Sequence, residues 1–255
     1  MRVAPSGVGE PNRSASLSPA PPTIRRSGAS SRAALRQLCP LHVDVALFVS
    51  RYVVKLAPVG GAEVVAVPWR AHSRLAAAIN DLPDAVVRQP SLLPDWTVGH
   101  VLTHLARNAE AMARRIEAAT RGELIDQYPG GARGRAAQIE AGADRPAHEL
   151  ITDVRDWAPR LDAAFGSLPD ALWNHQVRSP QGEHPIARLP FHRRWEVEVH
   201  LVDLGIGLTP DGWTQQLVDR VLPWLIAGLR DRADDRSLMA WMLGRSSPPN
   251  LDPWR

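Results

Sequence analysis

From about Pro68 onward the apolar positions recur with the period of an α-helix; before that they show no period. Leu75, Ala78, Ile79 and Leu82 predict a first helix that ends before Pro83. Val98, Val101, Leu102, Leu105, Ala109, Met112 and Ile116 form a longer stripe, with Asp95 or Thr97 placed to cap its start. Tyr128-Pro129-Gly130-Gly131 is a turn signal, followed by a short helix over about 133–141. Asp144-Arg145-Pro146 opens a third long helix through Leu150, Ile151, Val154, Trp157, Leu161, Ala164 and Phe165, which Pro159 is expected to kink or split. A loop rich in polar residues, Pro and Gly comes next. A fourth helix then spans about 186–204, with Gly205 as its C-cap. Two further helices are expected at about 213–229 and 236–243. Four long amphipathic helices predict a mainly α protein, an antiparallel bundle whose interior can receive ligands from facing helices.

The first 35 or so residues are rich in Ser, Pro, Gly and Arg and read as disorder. They are as poor in acids as a transit peptide, but a dispensable extension, or a start codon placed too far upstream, is the preferred reading. Residues 41–66 have the composition for a strand or two. The expected organisation is an extension over 1–66, a bundle over 67–207 and a shortened C-terminal part over 208–255.

Charge and composition narrow the function classes. The net charge of +3 is carried by the extension, since residues 1–70 hold nine Lys/Arg against three Asp/Glu, leaving the rest at about −3. Lys55 is the only lysine; the Arg, Ala, Pro and Gly bias reports a GC-rich genome. With no basic stripe, a nucleic-acid partner is not expected. No apolar run reaches membrane-spanning length, so no membrane partner is expected and the cytoplasm is the expected compartment. Cys39 is the single cysteine, so no intrachain disulfide forms, and the part expected to fold has no thiol of its own.

Two helices carry polar residues where their stripes should be apolar. His104 is flanked by Leu102, Leu105 and Ala106, with His100 and Asn108 one turn to either side. On the fourth helix His192, Glu196 and His200 form an i, i+4, i+8 row among Trp195, Val197, Val199, Leu201 and Val202. If His104 faces that row, His104, Glu196 and His200 make a three-ligand zinc site with a fourth position open. His100, Asn108 and His192 would line the pocket. Glu198 and Asp203 lie at other angles and suit contacts to solvent or to the ligands. Spacing alone leaves a second reading open. Nine histidines pair with acids by chance, and Glu196/His200 could be a surface ion pair worth tenths of a kcal/mol.

The stretches 93–108, Tyr128-Pro129-Gly130-Gly131, Gln138-Ile139-Glu140-Ala141-Gly142-Ala143 and Arg194-Trp195-Glu196-Val197-Glu198-Val199-His200-Leu201-Val202-Asp203-Leu204-Gly205 resemble the mycothiol-dependent maleylpyruvate isomerase family, a branch of the DinB-like metal-binding four-helix bundles. The likeness runs in order from about Trp69 to Gly207. It implies zinc ligands at His104, Glu196 and His200. It also implies an α/β C-terminal subdomain ending in a segment like Leu238-Met239-Ala240-Trp241-Met242-Leu243-Gly244-Arg245, with Arg245 in the place of an arginine implicated in activity. The stretch before Leu238 is polar and short, so the strands expected there are missing and the subdomain is a shortened α or α/β one.

The activity the resemblance implies is cis–trans isomerisation of maleylpyruvate with mycothiol as thiol cosubstrate. A thiolate adds to the double bond, the resulting single bond rotates, and elimination restores the alkene. Zinc would lower the thiol's pKa. An arginine would hold the dicarboxylate, with Arg245, Arg194 and then Arg193 as candidates and a surface position expected for Arg193. Two alternatives remain: a mycothiol S-transferase acting on electrophiles, and a non-catalytic regulatory bundle.

Overall fold

The computed structural model describes residues 61–252. Eight α-helices and one two-stranded hairpin occur among them: α1 Gly61–Ala78, α2 Asp84–Val87, α3 Val98–Thr120, α4 Gly131–Ala143, α5 Ala147–Gly166, β1 Gln176–Ser179, β2 Gly182–Pro185, α6 Leu189–Asp203, α7 Gln215–Ala227 and α8 Asp235–Met242. The protein is mainly helical, built on a four-helix bundle of α1, α3, α5 and α6. Around the core the neighbours run α1, α6, α3, α5 and back to α1. The chain therefore crosses the bundle diagonally twice, between α1 and α3 and between α5 and α6. Leu75, Ile79, Val101, Leu102, Leu105, Leu150, Val154, Val197 and Leu201 fill one end of the core, and Met112, Ile116, Leu161, Phe165, Val177 and Leu189 the other.

Local signals explain the helix ends. Thr97 caps α3: its hydroxyl accepts from the His100 N–H at 3.3 Å, and the Thr97 N–H donates back to His100 Nδ1 at 3.1 Å. Gly205 ends α6 with φ +68°, the left-handed turn that glycine adopts without penalty. Gly99 lets α3 meet the end of α4, since a Cβ there would lie 2.1 Å from the Ala143 carbonyl oxygen.

Four expectations are corrected. α1 begins at Gly61 rather than near Pro68. Its Val-rich start has strand propensity, but no strand lies beside it among the described residues, and a helix satisfies the backbone within the segment. Of the strand region expected over 41–66, residues 41–60 lie outside the described residues. α5 passes Pro159 unbroken, because Leu150, Val154, Leu161 and Phe165 on either side are held in the core against α3 and α1. The loop expected before α6 contains the hairpin, with Gln176 opposite Pro185 and Ser179 opposite Gly182. Its strands are four residues each and polar, so they carry no readable alternation.

The fourth correction is Arg193, expected on the surface and found fully buried at 0% exposure. Its Nε donates to His72 Nε2 at 2.8 Å, and its Nη1 donates to the Leu105 carbonyl and to Asn108 Oδ1, both at 2.9 Å. Because His72 Nε2 accepts, its Nδ1–H donates to Asp162 at 3.0 Å. The network thus joins α6, α3, α1 and α5. Burial lowers His72 below its ordinary value despite the opposing pull of Asp162, which keeps the ring neutral in this role.

Residues 208–252 hold α7, α8 and short 3-10 turns, with no strand among the described residues. Glu198 is buried rather than solvated and anchors this part: it accepts from the Thr214 N–H at 2.8 Å and from Arg194 Nε at 2.6 Å. No described helix is long and apolar enough to cross a membrane.

Arg193→Met should strip His72, Asn108 and the Leu105 carbonyl of their donor and cost about 3–5 kcal/mol. Arg70→Met, at an exposed position, should change stability by less than about 0.5 kcal/mol. Equal, small losses in urea unfolding would remove the network's structural role. Gly99→Ala should cost about 1–3 kcal/mol in the same measurement, because backbone must move to admit the methyl group.

Candidate metal centre

The middle of α3 and the second half of α6 face each other across the bundle. His104 Nε2 lies 2.9 Å from Glu196 Oε2, and His200 Nε2 lies 3.4 Å from the same oxygen. One donor atom from each of the three residues falls within 4.8 Å of the others, and all three side chains are buried. The rings of His104 and His200 meet edge to face at 4.7 Å. Two donor separations lie near the tetrahedral edge of about 3.3 Å expected for zinc-like bond lengths. The donor set, two imidazoles and a carboxylate, can hold a divalent metal.

Residues behind the donors orient them. Asp203 Oδ2 accepts from His200 Nδ1 at 2.8 Å, which turns Nε2 toward Glu196. Arg135, buried on α4, reaches His104 Nδ1 at 3.1 Å through Nη2. Trp96 packs against His104 with ring centroids 5.8 Å apart. Burial would raise Glu196, yet the hydrogen bonds and charges of His104 and His200 hold it well below the usual carboxylate range. Burial and then Arg135 push His104 down to about 3. His200 is raised to about 9: burial opposes this, but Asp203 and Glu196 outweigh it. These shifts favour a carboxylate at Glu196, a neutral ring at His104 and a protonated ring at His200.

Beside the cluster, a narrow cleft opens between α3, α6 and the hairpin, with Asn108, Glu196 and His192 on its walls. Two of the three expected pocket residues, Asn108 and His192, line it; His100 instead caps α3 and reaches Glu140 at 3.3 Å. Asn108 also serves Arg193. The three candidate arginines are placed elsewhere. Arg194 binds Glu198, Gln216 and Thr214. Arg193 is in the bundle network. Arg245 is exposed beyond α8, which packs on the turn at 229–231. Sequence reading missed Arg135, Arg115, Arg188 and His184 in and around the site. Arg188 precedes His192 by four residues and Arg115 continues the His104–Asn108 face of α3, so helical spacing could have marked both; Arg135 and His184 lie on other elements, where no local signal marked them.

A buried His-Glu-His cluster between two bundle helices places the chain among four-helix bundles equipped to bind a metal. The sequence profile described as the mycothiol maleylpyruvate isomerase N-terminal domain matches residues 69–205, and the chain belongs to that family. Among solved structures it is similar to the mycothiol-dependent maleylpyruvate isomerase, at 25% identity and a TM-score of 0.60, over 63% of this chain and 67% of that one. It is also similar to a histidine-to-alanine mutant of a mycothiol-dependent maleylpyruvate isomerase, at 21% identity and a TM-score of 0.64, over 77% and 82%. It shares the fold of YfiT from Bacillus subtilis, described as a probable metal-dependent hydrolase with an unusual four-helix bundle topology; identity is 14%, the TM-score 0.51 and coverage 67% and 93%. No curated protein matches the sequence.

His184, on β2 and 7% exposed, gives a pH prediction. Burial, reinforced by Arg115 and Arg188 and opposed by its contact to the Pro185 carbonyl, pushes it down to about 4. The unfolded chain protonates this residue near pH 6.5. The stability it contributes is therefore complete above that pH and is lost as pH falls through about 4. His184→Gln should flatten the decline of unfolding free energy between pH 6.5 and 4. An unchanged slope would assign the acid sensitivity to other groups.

Proposed function

We propose that the chain is a mycothiol-dependent isomerase of the maleylpyruvate type, using zinc at His104, Glu196 and His200. The observation that carries this reading is the buried convergence of those three donors within the matched family region. The donors suit zinc: two neutral-capable imidazoles, one carboxylate, and an outer carboxylate, Asp203, fixing one of the rings. Zinc there would lower the pKa of a bound thiol, so that thiolate is available near neutral pH.

The remaining chemistry belongs to the thiol, the substrate and this chain's side chains. The thiolate sulfur bonds to one alkene carbon, the former double bond rotates as a single bond, and C–S cleavage returns thiolate and trans product. Atoms and electrons balance without an oxidant. Glu196 keeps its charge at neutral pH. Asp203 holds His200 in the tautomer whose Nε2 faces the centre. Ligation through His104 Nε2 puts that ring's proton on Nδ1, so Arg135 must then turn to another acceptor. Trp96 packs against the His104 ring at one side of the cluster.

One observation favours the S-transferase alternative. The strands that would complete a C-terminal wall do not occur among the described residues, and Arg245 stands apart from the cluster. A site without that wall suits a wider set of electrophiles.

The test is zinc analysis and two assays on the full chain. Close to one zinc per chain should be bound, and His104→Ala or Glu196→Gln should lose most of it. Maleylpyruvate isomerisation should require mycothiol and fall about 100-fold or more in either variant. Zinc binding with conjugation of electrophiles but no isomerisation would transfer the assignment to the S-transferase. Zinc with neither activity would leave a non-catalytic bundle. Zinc content unchanged by His104→Ala would sink the site itself.

A further inference from the structure

The cleft beside the candidate metal centre holds two arginines that pair with neither of its two carboxylates. Arg115 and Arg188 both line it. Arg115 is 2% exposed, and its guanidinium donates to two backbone carbonyls, those of Ala111 at 3.2 Å and Arg178 at 3.0 Å. Burial pushes it down to about 10, so it remains a cation at neutral pH. Arg188, at the entry to α6, makes no ion pair with a carboxylate among the described residues. Two acids share the cleft. Glu196 is engaged by both imidazoles, and Glu183 pairs with Arg178 on the opposite strand. His184 and His192 face each other at 5.4 Å. Burial and the two arginines lower both, so they add no further positive charge and offer neutral polar edges.

Two cations in a partly closed space, neither paired with a carboxylate, are stabilised when an anion enters. A planar guanidinium with free donors is matched by a carboxylate, which it can bind through two parallel hydrogen bonds. We infer that this cleft is the carboxylate subsite for the acceptor substrate, with Arg188 as the direct partner and Arg115 as a fixed positive charge behind it. The role expected of Arg245, Arg194 or Arg193 thus moves to the junction of α6 and the hairpin. Glu196 lies on the wall of the same cleft, so a bound carboxylate and the position where a thiol would be activated share one cleft. The subsite makes the protein select anionic acceptors over neutral electrophiles. The inference rests on the proposed isomerase reading for the kind of acceptor, while the cleft and its charges stand independently of it.

The test uses the zinc-loaded full chain and succinate, a dicarboxylate with no double bond to react, with succinamide as its neutral counterpart. Titration calorimetry should show succinate binding that Arg188→Ala weakens at least tenfold and Arg188→Lys weakens less. Arg245→Ala should leave it within twofold. Succinamide should bind more weakly and equally to wild type and Arg188→Ala. Zinc content and thermal midpoint of each variant report whether it has folded, and the lysine variant carries the comparison if the alanine variant has not. Succinate affinity equal in wild type and both Arg188 variants would overturn the subsite, whatever the isomerase assay shows. Binding that depends on Arg188 in a protein without isomerase activity would uphold the subsite and reject the isomerase reading.

Discussion

Arg193 places a positive charge where all four bundle helices meet, and much of the structure follows from satisfying it. A buried guanidinium without partners is strongly unfavourable, so the surrounding backbone must present acceptors at fixed positions. The Leu105 carbonyl and Asn108 on α3, and His72 on α1 with Asp162 of α5 behind it, do so. Glu196 lies three residues further along α6 and meets His104, which precedes Leu105 directly and Asn108 by about one turn on α3. Two polar contacts between the same pair of helices set both their relative rotation and their height. A hydrophobic stripe tolerates sliding; a buried charge network does not. The convergence of His104, Glu196 and His200 therefore depends on a residue that touches none of them.

A second buried polar group does the same work for the C-terminal part. Glu198 points away from the His-Glu-His cluster and collects the start of α7 through Thr214, with Arg194 completing the group. Polar residues on α6 thus serve three destinations: Arg193 the bundle, Glu196 and His200 the cluster, Arg194 and Glu198 the C-terminal helices. This explains why the helix has a weak apolar stripe although most of it is buried. Beyond that anchor, Met239, Met242 and Leu243 of the last helix and its end remain exposed, in a C-terminal part that is purely helical among the described residues.

Much of this was legible along the chain. The helices around Leu102, Val154 and Val197 announce themselves by period. Thr97 and Gly205 mark ends, because capping involves residues only a few positions apart. His104, Glu196 and His200 stood out as polar residues on apolar faces, and Asp203 as a group near them but at another angle. The misreadings have a common cause. The hairpin is too short and polar to show alternation. Gly61–Ala78 was obscured by valines and Pro68, whose local preferences are weak against the absence of a pairing strand. Arg193 was taken for a surface residue because most arginines are, and its burial depends on acceptors 85 and 121 residues away.

By itself the sequence determined the helical period, the caps, the absence of a thiol from residues 61–252 and the family of the bundle, because these are properties of composition, of neighbouring residues or of matched motifs. Only the tertiary structure decided which long side chains go inward. An arginine reaches about 6–7 Å from its backbone and can turn to any partner in range, so spacing does not fix its contacts. Packing placed Arg193 in the core, Arg135 against His104 and Arg188 in the cleft, and left Arg245 outside.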